Sequence, residues 1–534
     1  MPPGMSLPDW VVLTAYFALM IGMGMWARSK IKSANDYFTA GGAMPWWLSG
    51  ISHHMSGYSS AAFVGYAAIA YTKGITIYIW WACTITLAML IGYRIFPPRW
   101  ARLRQRTGMI SPLEFLVVRY DLPTQQVLAW SGALLKVFDI GAKWTATAIL
   151  LNVFANVPPV YGVLLTGSVT LIYAVSGGLW ANALTDFSQF AIQLVAGFAM
   201  LFEVLWHLGG ITALWTVWGR LPPSHSHLFV PPYTPLFAAV FLLINTLSYN
   251  GGTWNLAQRF IAAPTGKEAK KAALLSASLY LVWPLVLFFP VWVAPLLLPH
   301  IADPSESYAR MATMLLPRGL LGLVLGGLFA STMAMTSSDA NAISAVVVRD
   351  ILPALRHNRQ RMNDDAQLLA GRICTFLFLA LSMLIAIYAN RFGGVLGLLI
   401  LWFAALLGPN AIPMLLGMLL PFRRCGPTAA ITAWSGGILT FFVIRFIFPA
   451  KIANFAGDMA TAISVGSPVL VSLILFLAVG LFTRKINPAA NALLQSINRD
   501  FTTAEWLSIE LEQKRTISQR LTPVHTPGTD EPVA

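Results

Sequence analysis

Polar side chains interrupt a long stretch near the N-terminus, Trp46–Tyr71, whose two ends are apolar. The polar and glycine residues at its centre are His53, His54, Ser56, Gly57, Tyr58, Ser59 and Ser60. A membrane-spanning helix must satisfy its backbone polar groups internally, because lipid offers no hydrogen-bond partners. The pattern therefore predicts a helix broken at mid-depth, whose freed carbonyl and N–H groups could bind an ion or a solute. The alternative is a continuous helix with its serines packed against neighbouring helices.

A second interruption, Ser248–Phe260, has the sequence SYNGGTWNLAQRF and lies five predicted spans after the first. A break is predicted near Gly251, and Arg259 is expected at the membrane interface. The alternative is a short cytoplasmic extension of the span. Paired interrupted spans in the two halves of a chain are typical of transporters built from inverted repeats. An offset of five spans, being odd, gives the two halves opposite topology.

Ionisable and hydroxyl-bearing residues also occur inside other apolar segments. Asp186 lies near the inner end of the sixth predicted span, where a carboxylate could stabilise the helix dipole or serve as a cation ligand or proton relay. The ninth span contains Leu328–Ser344, whose hydroxyls at intervals of three and four residues share one helix face. These hydroxyls could coordinate a cation, or they could simply allow close helix packing. Asp339 in this segment needs a partner under either interpretation.

Three charged residues, Lys136, Asp139 and Lys143, share one face of the fourth predicted span. Spacings of three and four residues predict an internally paired triad, because pairing lowers the cost of burying each charge. A direct role in transport is the alternative.

Composition identifies an all-α polytopic membrane protein. The 534 residues are 57% hydrophobic and 10% charged, with a mean hydropathy of +0.66, whereas soluble domains carry about 25% charged residues. The net charge of +14 lies in short loops between spans, which does not favour nucleic-acid binding. Cys83, Cys374 and Cys425 are scattered, so neither a disulfide nor a metal site is expected. The sequence shows no nucleophile–base pair, so we expect neither an enzyme nor a cofactor, and the first apolar run is expected to be a retained span.

About thirteen segments are long enough to cross a membrane. They lie at about 8–27, 46–72, 75–96, 125–153, 157–176, 184–208, 235–256, 272–299, 310–346, 368–390, 394–421, 427–448 and 461–483. The polar C-terminal half of 310–346 is expected to project beyond the lipid. Basic residues cluster after odd-numbered segments, for example Arg94–Arg106 after the third and Lys267–Lys271 after the seventh. The positive-inside rule then places the N-terminus outside and the C-terminus in the cytoplasm, in a plasma membrane.

The chain is predicted to form one transmembrane domain over residues 1–485, with core repeats at about 46–208 and 235–421. Residues 486–534 form a polar cytoplasmic tail. A short amphipathic helix is expected at Thr502–Ser518, followed by disorder.

Several motifs occur in an order and at spacings that resemble those of the sodium:solute symporter family. They are DYFTAGGAMPWWLSGIS (Asp36–Ser52), SAAFVGYA (Ser60–Ala67), SPLEFLVVRY (Ser111–Tyr120), SGGLWANALTDFSQF (Ser176–Phe190), QRF (Gln258–Phe260) and VVVRDI (Val346–Ile351). The resemblance covers roughly residues 8–485. It implies a leucine-transporter-type fold in which one span precedes a ten-helix core of two inverted five-helix repeats and two spans follow.

The resemblance also implies sodium sites, position by position. The backbone carbonyls of Met55, Tyr58 and Ser331 correspond to ligands of the principal site. Two adjacent hydroxyls of that site correspond to Ala334 and Met335, which have none, and this departure weakens the case for sodium because hard cations prefer oxygen. A second site in some members corresponds to Asp186, Ser337 and Ser338. The polar residues of the sugar-transporting branch are not matched: Ala61, Ala62 and Ile79 stand there.

These observations lead to three hypotheses. The first is a secondary active symporter that uses a cation gradient, with sodium as coupling ion, to take up a small polar solute by alternating access. The candidate solute-binding residues are Tyr58, Ser59, Trp80, Trp254 and Asn255. The second keeps the fold but is proton-coupled or sodium-independent, with Asp186 or the pair His53–His54 as proton carrier, although packing is the commoner role for such histidines. The third is a transporter-like membrane sensor.

Overall fold

The computed structural model describes residues 5–29, 31–356, 362–392, 405, 407–483 and 486–500. Within these ranges the chain is helical and forms no strand; one isolated bridge joins Val230 and Tyr233. The α-helices are Leu7–Arg28, Ala34–Thr39, Trp46–Met55, Ala67–Lys73, Thr84–Gly92, Phe96–Thr107, Phe115–Arg119, Leu122–Ala155, Pro159–His207, Ala213–Thr216, Pro235–Leu247, Trp254–Ile261, Gly266–Trp292, Ala294–Leu297, Ser307–Leu315, Leu320–Val346, Leu352–Leu355, Asp364–Ile387, Gly408–Leu416, Pro427–Phe442, Pro449–Ala453, Gly457–Thr461, Ser467–Phe482 and Pro488–Asn498. Wider, π-helical turns occur at Ala62–Tyr66, Tyr78–Cys83, Ser248–Gly252, Val347–Ile351, Val443–Ile447 and Ala462–Gly466.

Seven helical stretches in the described ranges are long and apolar enough to cross a bilayer, and two bent helix pairs bring the number of candidate spans to nine. Thirteen spans remain a prediction. Several predicted spans consist of shorter helices joined by breaks, and residues 394–404 and 406 of the predicted span 394–421 lie outside the described residues.

Polar caps set the ends of several long helices. Asp121 accepts a hydrogen bond from the Thr124 N–H at 2.9 Å at the start of Leu122–Ala155, which we call the lysine helix. Thr265 accepts in the same way from Glu268 at the start of Gly266–Trp292. These side chains satisfy N–H groups that the first helical turn leaves without partners.

The continuous helical segment Pro159–His207 contains a sharp kink at Gly178, where φ is 53° and ψ is −147°. The kink divides it into two helices, in agreement with the predicted spans 157–176 and 184–208. Gly178 is required here, because a Cβ would collide with the Tyr37 carbonyl and the positive φ disfavours other residues.

The predicted span 310–346 is two helices, not one. Ser307–Leu315 ends before Gly319, whose φ is 91°, and Leu320–Val346 follows. We call the second of these the serine helix. The Asp9 carboxylate caps it by accepting the Gly319 and Gly322 N–H groups at 2.7 and 3.0 Å.

The polar C-terminal half of this span is buried within the protein, and its projection beyond the lipid stays a prediction. Residues Ala340–Val346 at its C-terminal end are buried, and so are Ser337, Ser338 and Asp339. The serine helix packs against Pro159–His207, the lysine helix and Asp364–Ile387. Small side chains let these neighbours approach closely, so the helix is buried inside the bundle.

The loop at 209–234 packs on the end of the span that stops at Lys73. His225 is buried there, and its Nε2 lies 2.9 Å from the Tyr71 carbonyl. The Ile75 N–H donates to the His225 carbonyl at 3.0 Å. These contacts fix the loop to the rest of the domain.

A short helix, Pro488–Asn498, follows the last span, and sequence reasoning missed it. Arg102 pairs with Asp500 at 2.7 Å and donates to the Ile497 carbonyl at 2.9 Å, which joins this segment to helix Phe96–Thr107. The predicted helix at Thr502–Ser518 and the disorder beyond it lie outside the described residues.

Candidate functional site

The first predicted break is present. Helix Trp46–Met55 ends at Ser56, and regular helical structure resumes only after Ser60. We call 46–73 the first broken helix. Neighbouring side chains donate to three carbonyls at this break: Tyr280 to His54 at 2.9 Å, Tyr249 to Gly57 at 2.7 Å and Asn255 to Ser56 at 3.0 Å. No hydrogen bond within the described residues ends on the Met55 or Tyr58 carbonyl.

Glycine at position 57 allows the first break to pack closely. A Cβ there would lie 2.9 Å from the Tyr249 ring and closer still to the Tyr280 hydroxyl, the same two tyrosines that bind the break. Gly65, in the continuing part of the same helix, has no such neighbour within 4 Å.

The second predicted break is also present. Pro235–Leu247 continues through the turn Ser248–Gly252, and Trp254–Ile261 then departs at 47°. We call 235–261 the second broken helix. Gly251 has φ of 101°, a conformation that favours glycine, and Thr253 is extended. The Trp100 indole donates to the freed Asn250 carbonyl at 3.1 Å.

A cavity of about 70 Å³ lies between the two breaks. Its wall combines aromatic, small polar, apolar and charged side chains from several helices: Gly57, Tyr58, Ser59, Ala61, Ala62, Tyr66, Trp81, Lys136, Asp139, Lys143, Phe241, Asn245, Ser248, Tyr249, Thr253, Leu256 and Met335. An aromatic and apolar lining with a few convergent polar groups is typical of a small-molecule binding site.

Two of the five candidate solute residues, Tyr58 and Ser59, line the cavity. The other three do not. Trp80 stacks on Tyr233 with 5.6 Å between ring centroids, and its neighbour Trp81, in the same π-helical turn Tyr78–Cys83, lines the cavity. Asn255 supports the first break, as described above, and Trp254 packs against Gly132.

The charged triad is paired as its spacing predicts, and it gains a fourth member from the serine helix. Asp139 Oδ2 lies 2.5 Å from the Lys136 Nζ and 2.8 Å from the Lys143 Nζ. Asp339 pairs with the same two ammonium groups, at 3.2 and 2.6 Å. We call these four residues the charged tetrad. It is buried, it carries no net charge, and three of its members line the cavity. Sequence reasoning could not connect Asp339 to the lysines, because they are about two hundred residues apart.

The serine helix runs alongside the first break. Ser56 and Ser338 share a hydrogen bond of 3.0 Å between their hydroxyls, and the Ser60 N–H donates to Thr332 at 2.9 Å. Ala334 is buried against Met55, and Met335 lines the cavity. The Ser331 hydroxyl donates to the Leu328 carbonyl at 2.9 Å. The residues that the resemblance implies for the principal cation site therefore lie on two adjoining elements.

Asp186 has an unexpected neighbour. Arg259, expected at the membrane interface, is fully buried, and its Nη2 lies 3.3 Å from Asp186 Oδ2. Arg259 also donates to the hydroxyls of Ser52 and Ser338, and Ser52 donates to Asp186 at 2.5 Å. Asp186 Oδ1 has no hydrogen-bond partner within the described residues. The Ser337 hydroxyl donates to the Ala334 carbonyl at 3.1 Å.

The pairing of Arg259 with Asp186 has a physical basis. A lone Asp and a lone Arg in separate apolar spans both need a counter-ion, and each satisfies the other's requirement when their helices pack together. That shared requirement was the available signal in the sequence.

His53 and His54 are buried. The His53 Nδ1 lies 2.8 Å from the Ser276 hydroxyl, and its Nε2 lies 3.2 Å from the Tyr249 carbonyl. His54 has no hydrogen-bond partner in the described residues and packs edge-on against Tyr58, Phe190 and Tyr280. This placement agrees with the packing interpretation. The described residues also contain no cluster of His, Cys, Asp and Glu that could hold a metal ion.

Two broken helices around a central cavity, in a bundle of apolar helices, define a secondary transporter of the inverted-repeat class. The family model described as "Sodium:solute symporter family" matches residues 37–438. The chain belongs to the sodium:solute symporter family, which is a family of membrane transporters.

Similar proteins agree with this assignment. The sodium/glucose cotransporter of Vibrio parahaemolyticus is 26% identical over 416 residues, covering 72% of this chain and 75% of that protein. The sodium/sialic acid symporter SiaT of Proteus mirabilis is 26% identical over 362 residues, covering 65% and 71%. The sodium/sialic acid symporter NanT of Aliivibrio fischeri is 24% identical over 460 residues, covering 82% and 87%.

Solved structures identify the fold. The substrate-bound outward-open state of a Na⁺-coupled sialic acid symporter matches with a TM-score of 0.75 and 21% identity, covering 89% of this chain and 98% of that one. The nucleobase-cation-symport-1 family transporter Mhp1, closed with bromovinylhydantoin bound, matches with a TM-score of 0.52 and 13% identity, covering 87% and 99%. The fold is therefore the predicted leucine-transporter type with an inverted-repeat core.

Proposed function

We infer that this chain is a secondary active symporter that couples the entry of sodium to the uptake of a small polar solute by alternating access. The observation that carries this function is the cavity between the two broken helices. A solute bound there contacts both broken helices, so its binding can favour one arrangement of the bundle over another. Family membership and the sodium-coupled activities named for the similar proteins support sodium as the coupling ion.

The proposed cation site lies beside the first break. The carbonyls of Met55 and Tyr58 form no hydrogen bond within the described residues, so they are available to a cation. Ser331 would add a third oxygen from the serine helix. Asp186, Ser337 and Ser338 form a second proposed site, where the guanidinium of Arg259 pairs with Asp186 and donates to Ser338 and would therefore compete with a cation.

Uptake into proteoliposomes tests this function. The solute for this assay comes from a screen of sugars, sugar acids and amino acids, with and without sodium. A solute that raises the melting temperature of the purified protein is chosen. Accumulation of that solute should require an inward sodium gradient and should cease when choline replaces sodium at fixed pH. Robust accumulation would also exclude a pure sensor.

The second candidate function is proton-coupled or sodium-independent transport on the same fold. Ala334 and Met335 favour it, because they supply no hydroxyl to the proposed cation site. The Asp186 oxygen without a hydrogen-bond partner is its candidate proton acceptor. Uptake that follows pH and ignores sodium would replace the first function with this one.

Topology completes the proposal. The alternation of basic loops places the N-terminus outside and the C-terminus in the cytoplasm of a plasma membrane. The core repeats span about 46–208 and 235–421. An impermeant thiol reagent tests this topology on single cysteines introduced at Lys73 and Lys267. Added outside, it should label the cysteine at 73 and not the one at 267.

A further inference from the structure

The cavity wall carries charges of both signs, and this bears on the solute. Lys136, Asp139 and Lys143 all reach the wall from one helix. We propose that the solute is a zwitterion, a small molecule with a carboxylate and an ammonium group a few bonds apart, such as an α-amino acid or a betaine. The proposal rests on the proposed transport function and names the substrate class of the same cavity.

Net charge provides the first argument. The charged tetrad contains two ammonium and two carboxylate groups, and the side chains of all four residues are at most 5% exposed. A solute with a net charge would add an uncompensated charge to a buried, neutral cluster, which is costly in a low-dielectric environment. A zwitterion adds no net charge, and each of its ends meets the opposite sign.

The available hydrogen-bonding groups provide the second argument. Both lysine hydrogen bonds to Asp139 end on Oδ2, so Oδ1 can still accept from a solute ammonium. The Lys143 ammonium has three N–H donors, of which two point to Asp139 and Asp339. Its third donor can bind a solute carboxylate.

The aromatic part of the wall fits the same class. Tyr66 and Trp81 lie 5.1 Å apart between ring centroids, and both line the cavity with Tyr58. Aromatic faces attract ammonium groups, including quaternary ones. A neutral sugar can offer hydroxyl groups to the charged tetrad but has no formal charge to pair with its ammonium and carboxylate groups.

A thermal-shift panel on the purified full-length protein in sodium tests the class. The zwitterions are L-alanine, L-proline and glycine betaine; L-lactate and L-alaninamide each lack one charged end of alanine. D-glucose, myo-inositol and sialic acid represent the other classes. We expect saturable stabilisation by at least one zwitterion, and at least tenfold weaker binding of a single-charge analogue, since tenfold corresponds to about 1.4 kcal/mol. Stabilisation by a sugar, a polyol or sialic acid but by no zwitterion would overturn the proposal, as would no response to any zwitterion.

Variants of the tetrad give a readout that a merely structural role would not change. In Asp139→Asn the ratio of zwitterion affinity to lactate affinity should fall at least tenfold, because only the ammonium end loses its partner. If Asp139→Asn does not fold, the double variant Lys136→Met with Asp139→Asn takes its place, because it keeps the cluster neutral. It should show the same fall in the affinity ratio. Thr145→Val is the matched control. Thr145 lies on the same helix but not in the cavity wall, and its hydroxyl donates a hydrogen bond of 2.9 Å to the Gly141 carbonyl. An unchanged ratio in a folded tetrad variant contradicts the proposal.

These results separate the substrate class from the transport function. Sodium-driven accumulation of glucose would leave the transport function intact and remove the zwitterion. Zwitterion binding without sodium-driven or proton-driven accumulation in proteoliposomes would keep the substrate class and remove the symport function.

Discussion

The buried pair Asp186–Arg259 can be tested by removing each charge separately and then both together. Both side chains have 0% exposure, so solvent does not screen their interaction. Removing one partner of a buried pair leaves the other charge uncompensated and typically costs about 3–5 kcal/mol. We expect the loss of stability in Asp186→Asn to lie near the lower value. Arg259 would still donate to Ser52, Ser338 and the Asn255 carbonyl.

The loss of stability in Arg259→Met should lie near the upper value. It leaves the Asp186 carboxylate with the Ser52 hydroxyl alone among the hydrogen bonds described for it. The double variant contains no buried charge at this place and should be no less stable than the worse single variant. With single costs of about 3 and about 5 kcal/mol and a double cost of at most about 5 kcal/mol, the coupling energy between the two positions is at least about 3 kcal/mol.

Unfolding of the purified protein by sodium dodecyl sulfate in mixed micelles, followed by tryptophan fluorescence, measures these differences. Strictly additive effects of the two substitutions would refute the pairing. A second readout concerns the cation site: sodium should restore part of the stability of Arg259→Met, by about 2.7 kcal/mol at a hundred times its dissociation constant. Choline at equal ionic strength is the control, and equal stability in the two salts would argue against a cation site at Asp186.

Three further predictions concern the first break, the cation site and the 209–234 loop. Gly57→Ala should reduce uptake at least tenfold and destabilise the fold by about 1–3 kcal/mol through overpacking, whereas Gly65→Ala should match the parent in uptake and melting temperature; equal effects would contradict the packing argument. Ala334→Ser combined with Met335→Ser should raise sodium affinity at least tenfold by adding two oxygen ligands, while the control Met335→Leu should not. Titration of the melting temperature with sodium measures this affinity, and no gain in the double variant would place the cation elsewhere. Burial lowers the pKa of His225 below its usual 6.5, so the folded protein binds fewer protons at this residue than the unfolded chain, and stability should decline as pH falls below about 6.5. His225→Asn should flatten this part of the curve of stability against pH, and an unchanged slope would refute the role of His225.

The sequence by itself determined the class of protein and the positions of both breaks. Apolar length, polar interruptions and the offset of five spans are local or periodic features, because lipid forces each span to satisfy its own backbone. The paired triad Lys136, Asp139 and Lys143 was likewise accessible, since its members lie within two turns of one helix.

Only the tertiary structure decided which distant side chains meet. Asp339 joins the lysines, and Arg259 pairs with Asp186, because packing of separate helices brings the two members of each pair together. The wall of the cavity depends on how each helix is rotated about its axis, and Trp81 lines it where Trp80 was expected. Sequence spacing fixes which residues share a helix face, but the direction of that face is set by neighbours elsewhere in the chain.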